Sequence, residues 1–123
     1  MFIKIKKNSG IHMEHNGLEK QHLVPVTSNF LLNLNQVAEV SFYSIKETKT
    51  RYDLEHHAVQ VPPHTRVIHL QMSYPYGSRD EHSGVDKGVL IERCYYKLYF
   101  MPEETGQYDV IRGQIEALIL NDD

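Results

Sequence analysis

Histidine is the residue in this chain that is most unusual in number and most able to do chemistry. Eight of the 123 residues are histidine, and neutral imidazole is the most common side-chain ligand for zinc and related transition metals. His57, His64 and His69 lie close together in the sequence, and Glu55 lies beside the first of them. A Pro-Pro corner could fold this segment back on itself. Convergence of the four side chains would produce a transition-metal site, with Zn as the natural cation.

The spacing of the histidines does not match a recognised metal motif. The chain contains neither His-Glu-x-x-His nor His-x-His, the patterns that place imidazoles on one face of a helix or strand. We therefore interpret most of the histidines as exposed or structural and expect no cofactor. A small metal-dependent or ligand-binding β-barrel enzyme is the alternative.

A second set of candidate residues lies in the strand pattern of residues 89–101. Its two faces are both rich in apolar or aromatic side chains, whereas one helix can cover only one face of a sheet. Tyrosine and arginine are enriched at protein interfaces. The pattern predicts a homodimer whose interface contains Ile91, Arg93, Tyr95 and Tyr99. The opposite face, directed at the core, carries Leu90, Cys94, Tyr96, Leu98 and Phe100.

Composition narrows the classes of partner. The net charge of -3 and the 24% of charged residues describe an ordinary surface without the basic excess that nucleic acids attract. The single cysteine, Cys94, excludes an intramolecular disulfide and fits a reducing cytoplasm. In residues 1–7, apolar side chains alternate with lysines, so this segment lacks the continuous apolar run of a signal peptide. No apolar stretch of the chain is long enough to span a membrane. We expect a cytoplasmic protein that binds neither nucleic acid nor membrane.

The elements that must position these residues are mostly strands. Strand patterns are predicted at residues 2–7, 30–34, 37–45, 66–74 and 89–101. A helix over residues 31–40 is the competing interpretation of the second apolar stretch. Turns are expected at residues 8–10 and 74–88. An Asn16-Gly17 turn would pair residues 11–15 with residues 18–24.

The period changes from two to about 3.6 after Pro102, which predicts one C-terminal helix. Pro102 and Thr105 are both possible starting points. The apolar stripe consists of Tyr108, Ile111, Ile115 and Leu118, widened by Val110 and Ile119. A stripe of this kind is stable only when it is buried, so the helix is expected to pack on the sheet.

Length and element order together predict the fold class. A chain of 123 residues is the usual size of one domain, and strands followed by one helix, without β-α-β alternation, indicate an α+β fold. The expected architecture is a strongly bent antiparallel sheet or a partly open β-barrel, with the C-terminal helix packed on it.

One resemblance concerns most of the chain. An opening strand, the run Phe30-Leu31-Leu32-Asn33-Leu34-Asn35-Gln36-Val37-Ala38-Glu39-Val40 and a closing strand before a helix resemble small uncharacterised bacterial proteins. Some of these travel on mobile elements, including integron gene cassettes. The resemblance implies an accessory role and carries no catalytic residue. We therefore expect a non-enzymatic binding or adaptor module that self-associates, with an unidentified protein or small molecule as a further partner.

Overall fold

A computed structural model describes residues 2–15, 22–79 and 89–120, with the side chains of residues 2–15, 22–73 and 94–118. Within these ranges the chain forms nine strands, two short 3₁₀ turns and one helix. The strands are β1 Phe2–Ile5, β2 Asn8–His15, β3 Val24–Val26, β4 Phe30–Asn33, β5 Val37–Ser44, β6 Lys49–Tyr52, β7 Ala58–Val61, β8 Arg66–Arg79 and β9 Val89–Phe100. The 3₁₀ turns are Leu34–Gln36 and Pro102–Glu104, and helix α1 is Thr105–Leu120.

A five-stranded sheet in the order β3-β2-β9-β8-β5 forms the centre of the molecule. β8 and β9 are its longest strands, and they pair antiparallel from Arg66↔Phe100 to Arg79↔Val89. β1 with β4 and β6 with β7 form two separate antiparallel ribbons. The predicted α+β class, with an open antiparallel sheet and one C-terminal helix, is confirmed.

The second apolar stretch forms strands, as its β-branched and aromatic residues predict. β4 and β5 are separated by the 3₁₀ turn at the expected break, where the Asn33 side chain accepts a hydrogen bond from the Asn35 N–H at 3.1 Å. The Asn33 side chain thus caps the 3₁₀ turn that separates the two strands. The helix alternative over residues 31–40 is therefore wrong.

Two turn predictions need correction. Residues 8–10 belong to β2, because the Gly10 carbonyl accepts the Met101 N–H at 2.9 Å and holds this segment against the chain that leaves β9. A side chain at Gly10 would collide with Glu104, so the packing here requires glycine. β8 continues through Pro75 to Arg79, with a register shift between Gln71 and Pro75 that accommodates the proline.

The predicted pairing of residues 11–15 with the segment before Pro25 is found in part. Met13 of β2 faces Val24 of β3, and His12 faces Pro25. The Asn16-Gly17 turn itself lies outside the described residues, as do residues 80–88 of the predicted long loop.

One face of the sheet packs against α1 and the β1-β4 ribbon. Buried side chains from the three elements form a continuous apolar cluster. Cys94 lies in it, which confirms its interpretation as a core residue. The other members include Ile3 and Ile5 of β1, Leu32 of β4, Ile68 and Leu70 of β8, Leu98 and Phe100 of β9, and Tyr108, Ile111 and Ile115 of α1.

The helix buries the predicted stripe. It follows the 3₁₀ turn directly, so Pro102 begins the turn and Thr105 begins the α-helix. Tyr108, Ile111 and Ile115 are each 3% exposed, and Leu118 packs beside them. Val110 does not widen the stripe, since it points away from the sheet and is 61% exposed. The side chain of Ile119 lies outside the described set.

Part of the opposite face of the sheet is covered by the β6-β7 ribbon. Leu23, Ile45, Val61, Val67 and Tyr99 form a second, smaller buried cluster, against which Val59 packs. The sheet is therefore the middle one of three layers. No helix in the described residues is long and apolar enough to cross a membrane.

Ile115→Ala should lower the free energy of unfolding by about 2–5 kcal/mol, because it leaves a cavity between α1 and the sheet. Chemical denaturation followed by circular dichroism measures the effect. Val110→Ala, on the solvent side of the same helix, is the matched control and should change the stability by less than about 0.5 kcal/mol. Equal midpoints for the two variants would contradict this packing.

Candidate binding site

Polar side chains form a row across the second face of the sheet, next to the part that β6-β7 covers. Glu14 of β2 lies opposite Lys97 of β9, and Lys97 lies opposite His69 of β8. His69 in turn lies opposite Ser41 of β5. Facing residues on neighbouring strands have their β-carbons about 5 Å apart, so the sheet places a carboxylate, an ammonium and an imidazole side by side.

Glu14 is the most deeply buried charged residue in the described part of the chain, with 2% of its surface exposed. Arg51 Nη2 of β6 donates to its Oε1 at 2.5 Å, and the Tyr95 hydroxyl donates to its Oε2 at 2.8 Å. Lys97 Nζ lies 4.0 Å from Oε2. Partners on both oxygens offset the cost of removing a carboxylate from water.

Tyr99 extends these contacts towards the second apolar cluster. Its hydroxyl accepts a hydrogen bond from Arg51 Nη1 at 3.1 Å, and the guanidinium lies 5.8 Å from the centre of its ring. We call Glu14, Arg51, Tyr95, Lys97 and Tyr99 the Glu14 cluster. Since Arg51 comes from β6 and the other members from the sheet, the cluster joins the ribbon to the sheet.

A cavity of about 170 Å³ lies between the β6-β7 ribbon and the sheet. We call it the ribbon cavity. Its walls combine aliphatic side chains of the second apolar cluster with tyrosine hydroxyls and cationic groups. The lining residues are Tyr43, Ile45, Lys49, Arg51, Val61, Lys97 and Tyr99.

The charge state of the cavity follows from its surroundings. Burial raises the pKa of Tyr43 to about 12, and the nearby Tyr99 and Glu14 add to this while Arg51 opposes it. Burial also raises the pKa of Tyr99, with Glu14 as the next largest cause. Both phenols are therefore neutral hydrogen-bond donors at physiological pH. Burial acts to lower the pKa of Arg51, but the hydrogen bond and charge of Glu14 outweigh it and raise that pKa.

Of the four residues predicted as metal ligands, the structure brings Glu55 and His57 together. His57 lies in the turn between β6 and β7, with Nδ1 3.5 Å from Asp53 Oδ2 and 3.6 Å from Glu55 Oε2. His64 is exposed before β8, with a left-handed φ of 72°. His69 is half-buried on the sheet, with its ring against Tyr95. No group of three His, Cys, Asp or Glu among the described residues could hold a metal ion. A metal site at these residues stays a prediction.

Tyr95 and Tyr99, two of the four residues predicted as a dimer interface, belong to the Glu14 cluster. Tyr99 is only 5% exposed, covered by the ribbon of its own chain. The premise that this face lacks intramolecular cover is therefore wrong at Tyr99. Tyr95 is half-buried and bonded to Glu14, while the side chains of Ile91 and Arg93 lie outside the described set. Self-association itself stays a prediction.

The sequence contained only part of the signal for this site. Alternation placed Tyr95, Lys97 and Tyr99 on one face of a strand, where the structure has them. Glu14 and Arg51 are 37 residues apart, and neither belongs to a motif. One local signal does concern Glu14. It is three positions from the apolar Ile11, so on a strand the two side chains point to opposite faces of the sheet.

Comparisons with known proteins identify no relative. No model of a protein family matches the chain, and neither the curated proteins nor the solved structures include a significant match.

Glu14→Gln should lower the free energy of unfolding by about 1–3 kcal/mol, because it removes the charge that Arg51 and Lys97 face in a buried position. Urea denaturation measures the loss. Glu116→Gln is the matched control, since it breaks an exposed pair with Arg112 on the surface of α1. That pair is screened by water, so its midpoint should hardly change. Indistinguishable behaviour of the two variants would show that the Glu14 cluster does not stabilise the fold.

His69 should titrate below the ordinary histidine range. Burial lowers its pKa first and the charge of Lys97 lowers it further, while Glu14 and Glu39 oppose the shift. Lys97→Met removes one positive charge, so the pKa of His69 should rise in that variant. Proton NMR of the imidazole signals across the acidic range measures both values. A lower pKa in Lys97→Met than in the native protein would contradict the arrangement of this row.

Proposed function

We propose that the protein is a non-enzymatic binding module that takes a small ligand into the ribbon cavity. The observation that carries this proposal is the position of the cavity. It lies directly against the Glu14 cluster, and Arg51, Lys97 and Tyr99 belong to both. Ligand sites typically combine an apolar wall with a few fixed polar groups, and here the apolar wall is formed by Ile45 and Val61.

Binding accounts for the site better than catalysis does. The carboxylate oxygens of Glu14 already accept hydrogen bonds from Arg51 and Tyr95. A general base needs an oxygen that can reach a substrate proton, whereas a carboxylate held in this way fixes the direction of its cationic partner. Glu14 therefore acts as a positioning residue for Arg51.

The size of the cavity limits the ligand. Sites for cofactors and drug-sized molecules commonly measure about 300–1,000 Å³, and the ribbon cavity is smaller, at about 170 Å³. Entry is through the side where Tyr43, 40% exposed, and the exposed Lys49 lie. A ligand with a compact polar group fits, either complete or as one end of a larger molecule that extends over the sheet.

NMR titration of ¹⁵N-labelled protein tests this function. The probes are acetate, succinate, inorganic phosphate, glycerol and trimethylammonium, which cover anionic, neutral and cationic groups. At least one should shift the amide signals of cavity-lining residues such as Tyr43 and Val61. Lys49→Trp should abolish the shifts by filling the entrance.

Lys46→Trp is the matched control, because Lys46 is exposed nearby but does not line the cavity. It should leave the titration unchanged. The function is wrong if no probe shifts the cavity signals at millimolar concentration, or if both tryptophan variants respond like the native protein.

A further inference from the structure

A groove lies between β1 and the N-terminal part of helix α1, on the side of the sheet away from the ribbon cavity. Lys4 of β1 and Lys6, which follows it, form one wall. The other wall consists of uncharged residues of α1, among them Gly106 and Val110. Ile111 forms the floor, because it is only 3% exposed. We call this opening the helix groove.

In the described part of the chain β1 has one strand neighbour, and its other edge borders the helix groove. The neighbour is β4, which pairs with it from Phe2↔Asn33 to Ile5↔Phe30. β4 contributes none of the described residues that line the groove, so the groove lies along the opposite edge. The main-chain N–H and C=O groups of a strand point alternately to its two sides. This edge therefore offers main-chain donors and acceptors to one further strand, which is recognition by strand addition.

The alternation of β1 determines which side chains lie beside that edge. Ile3 and Ile5 are buried in the core, whereas Phe2, Lys4 and Lys6 are exposed. Because a strand rises about 3.4 Å per residue, the two lysines are about 7 Å apart on the outer face. Alternate residues of an added strand have the same spacing and point to the same face. Two carboxylates separated by one residue therefore complement the two ammonium groups.

The residue between the two carboxylates points the opposite way, towards the interior of the helix groove. Apolar surface is available there, since Val110 is 61% exposed at the wall and Ile111 forms the floor. Covering Val110 removes apolar surface from water, which favours binding. An apolar side chain therefore suits the central position of the added segment.

We infer that the helix groove binds an extended segment of a partner protein in which one apolar residue stands between two acidic residues. The segment adds to β1 as a strand, its carboxylates pair with Lys4 and Lys6, and its apolar side chain packs on Val110. This surface is separate from the ribbon cavity. The inference therefore goes beyond the proposed function, and neither depends on the other.

A groove beside a strand edge suits a peptide better than a membrane. Anionic lipid surfaces also attract lysines and exposed apolar side chains. Here, however, the lysines lie beside main-chain groups that have no strand partner among the described residues. A peptide main chain bonds such groups, whereas lipid tails offer them no hydrogen-bond partner.

NMR titration of ¹⁵N-labelled protein tests the inference with three peptides. Acetyl-Thr-Glu-Val-Glu-Thr-amide has the inferred pattern and should shift the amide signals of Lys4, Lys6 and Val110. Acetyl-Thr-Lys-Val-Lys-Thr-amide should bind at least about tenfold more weakly, because both cross-strand charge pairs become repulsive. Acetyl-Thr-Glu-Glu-Val-Thr-amide keeps the charge, but its neighbouring carboxylates point to opposite faces. It should bind at least about threefold more weakly than the first peptide, because it keeps only one of the two charge pairs.

A charge swap distinguishes direct pairing from a loss of fold. The double variant Lys4→Glu, Lys6→Glu should lose the acidic peptide. It should also bind the lysine peptide at least about tenfold more tightly than the native protein does. Unfolding would weaken binding of both peptides, so only direct pairing reverses the preference.

Two glycines of α1 provide matched blocking variants. A β-carbon at Gly106 or at Gly113 meets no heavy atom within 4 Å, so a larger side chain fits at either position. Gly106 lines the helix groove and Gly113 does not. Gly106→Trp should therefore fill the groove and weaken binding of the acidic peptide at least about tenfold, while Gly113→Trp should leave it unchanged.

The inference is wrong if the acidic peptide shifts no groove signals at millimolar concentration, or if it binds no more tightly than the lysine peptide. Equal binding by the two tryptophan variants would also overturn it. Phosphatidylserine vesicles are the last probe. If the native protein sediments with them while the acidic peptide does not bind, the surface contacts a membrane and the peptide inference fails. None of these results bears on the ribbon cavity, whose own probes test the proposed function.

Discussion

The structure depends on covering both faces of one open sheet. β8 and β9 form its centre, and each presents apolar residues on both sides, so a single layer of cover would leave part of the core in water. The helix and the β1-β4 ribbon bury one face around Phe100, and the β6-β7 ribbon buries the other around Tyr99. The two ribbons each have only two strands, which are marginal alone. Packing on the sheet is what stabilises them.

The second layer is held by charge as well as by apolar contact. A buried carboxylate without partners would be costly, and Glu14 becomes tolerable only when Arg51 of the ribbon reaches it. The contact is therefore specific. It determines which part of the ribbon lies over the sheet and leaves the ribbon cavity beside it. A stabilising ion pair and a potential ligand site thus share the same guanidinium.

The net charge of -3 describes the whole chain, whereas Lys49, Arg51 and Lys97 line the ribbon cavity. Asp109 and Glu116 are acidic groups exposed on the helix, whereas Lys97 lies on β9 of the sheet and Lys49 on β6 of the ribbon. The electrostatic potential inside a cleft, rather than the net charge of the protein, determines which charged ligands the cleft attracts. The composition predicted that nucleic acid is not a partner, but it contains no information about which side chains line one small cavity.

The sequence by itself determined those helices and strands in which apolar residues recur with a regular period. The stripe of α1, the two-faced pattern of β9 and the place of Cys94 in the core all follow from spacing, because burial of one face imposes a period of two or about 3.6 on the chain. It also indicated the break between β4 and β5. It did not predict that residues 8–10 would be a strand, since Gly10 is held there by a contact with the far end of the chain.

Only the tertiary structure decided the site. The composition predicted a metal site at the histidines, and the alternation in β9 predicted a second subunit over Tyr99. Both are local signals, which do not show which distant segments meet. The residues that meet, Glu14 and Arg51, come from separate layers and belong to no motif. Their pairing depends on how the β6-β7 ribbon docks on the sheet. That docking is set by apolar burial around Val61 and by one buried charge that needs a partner, and neither is encoded in residue spacing.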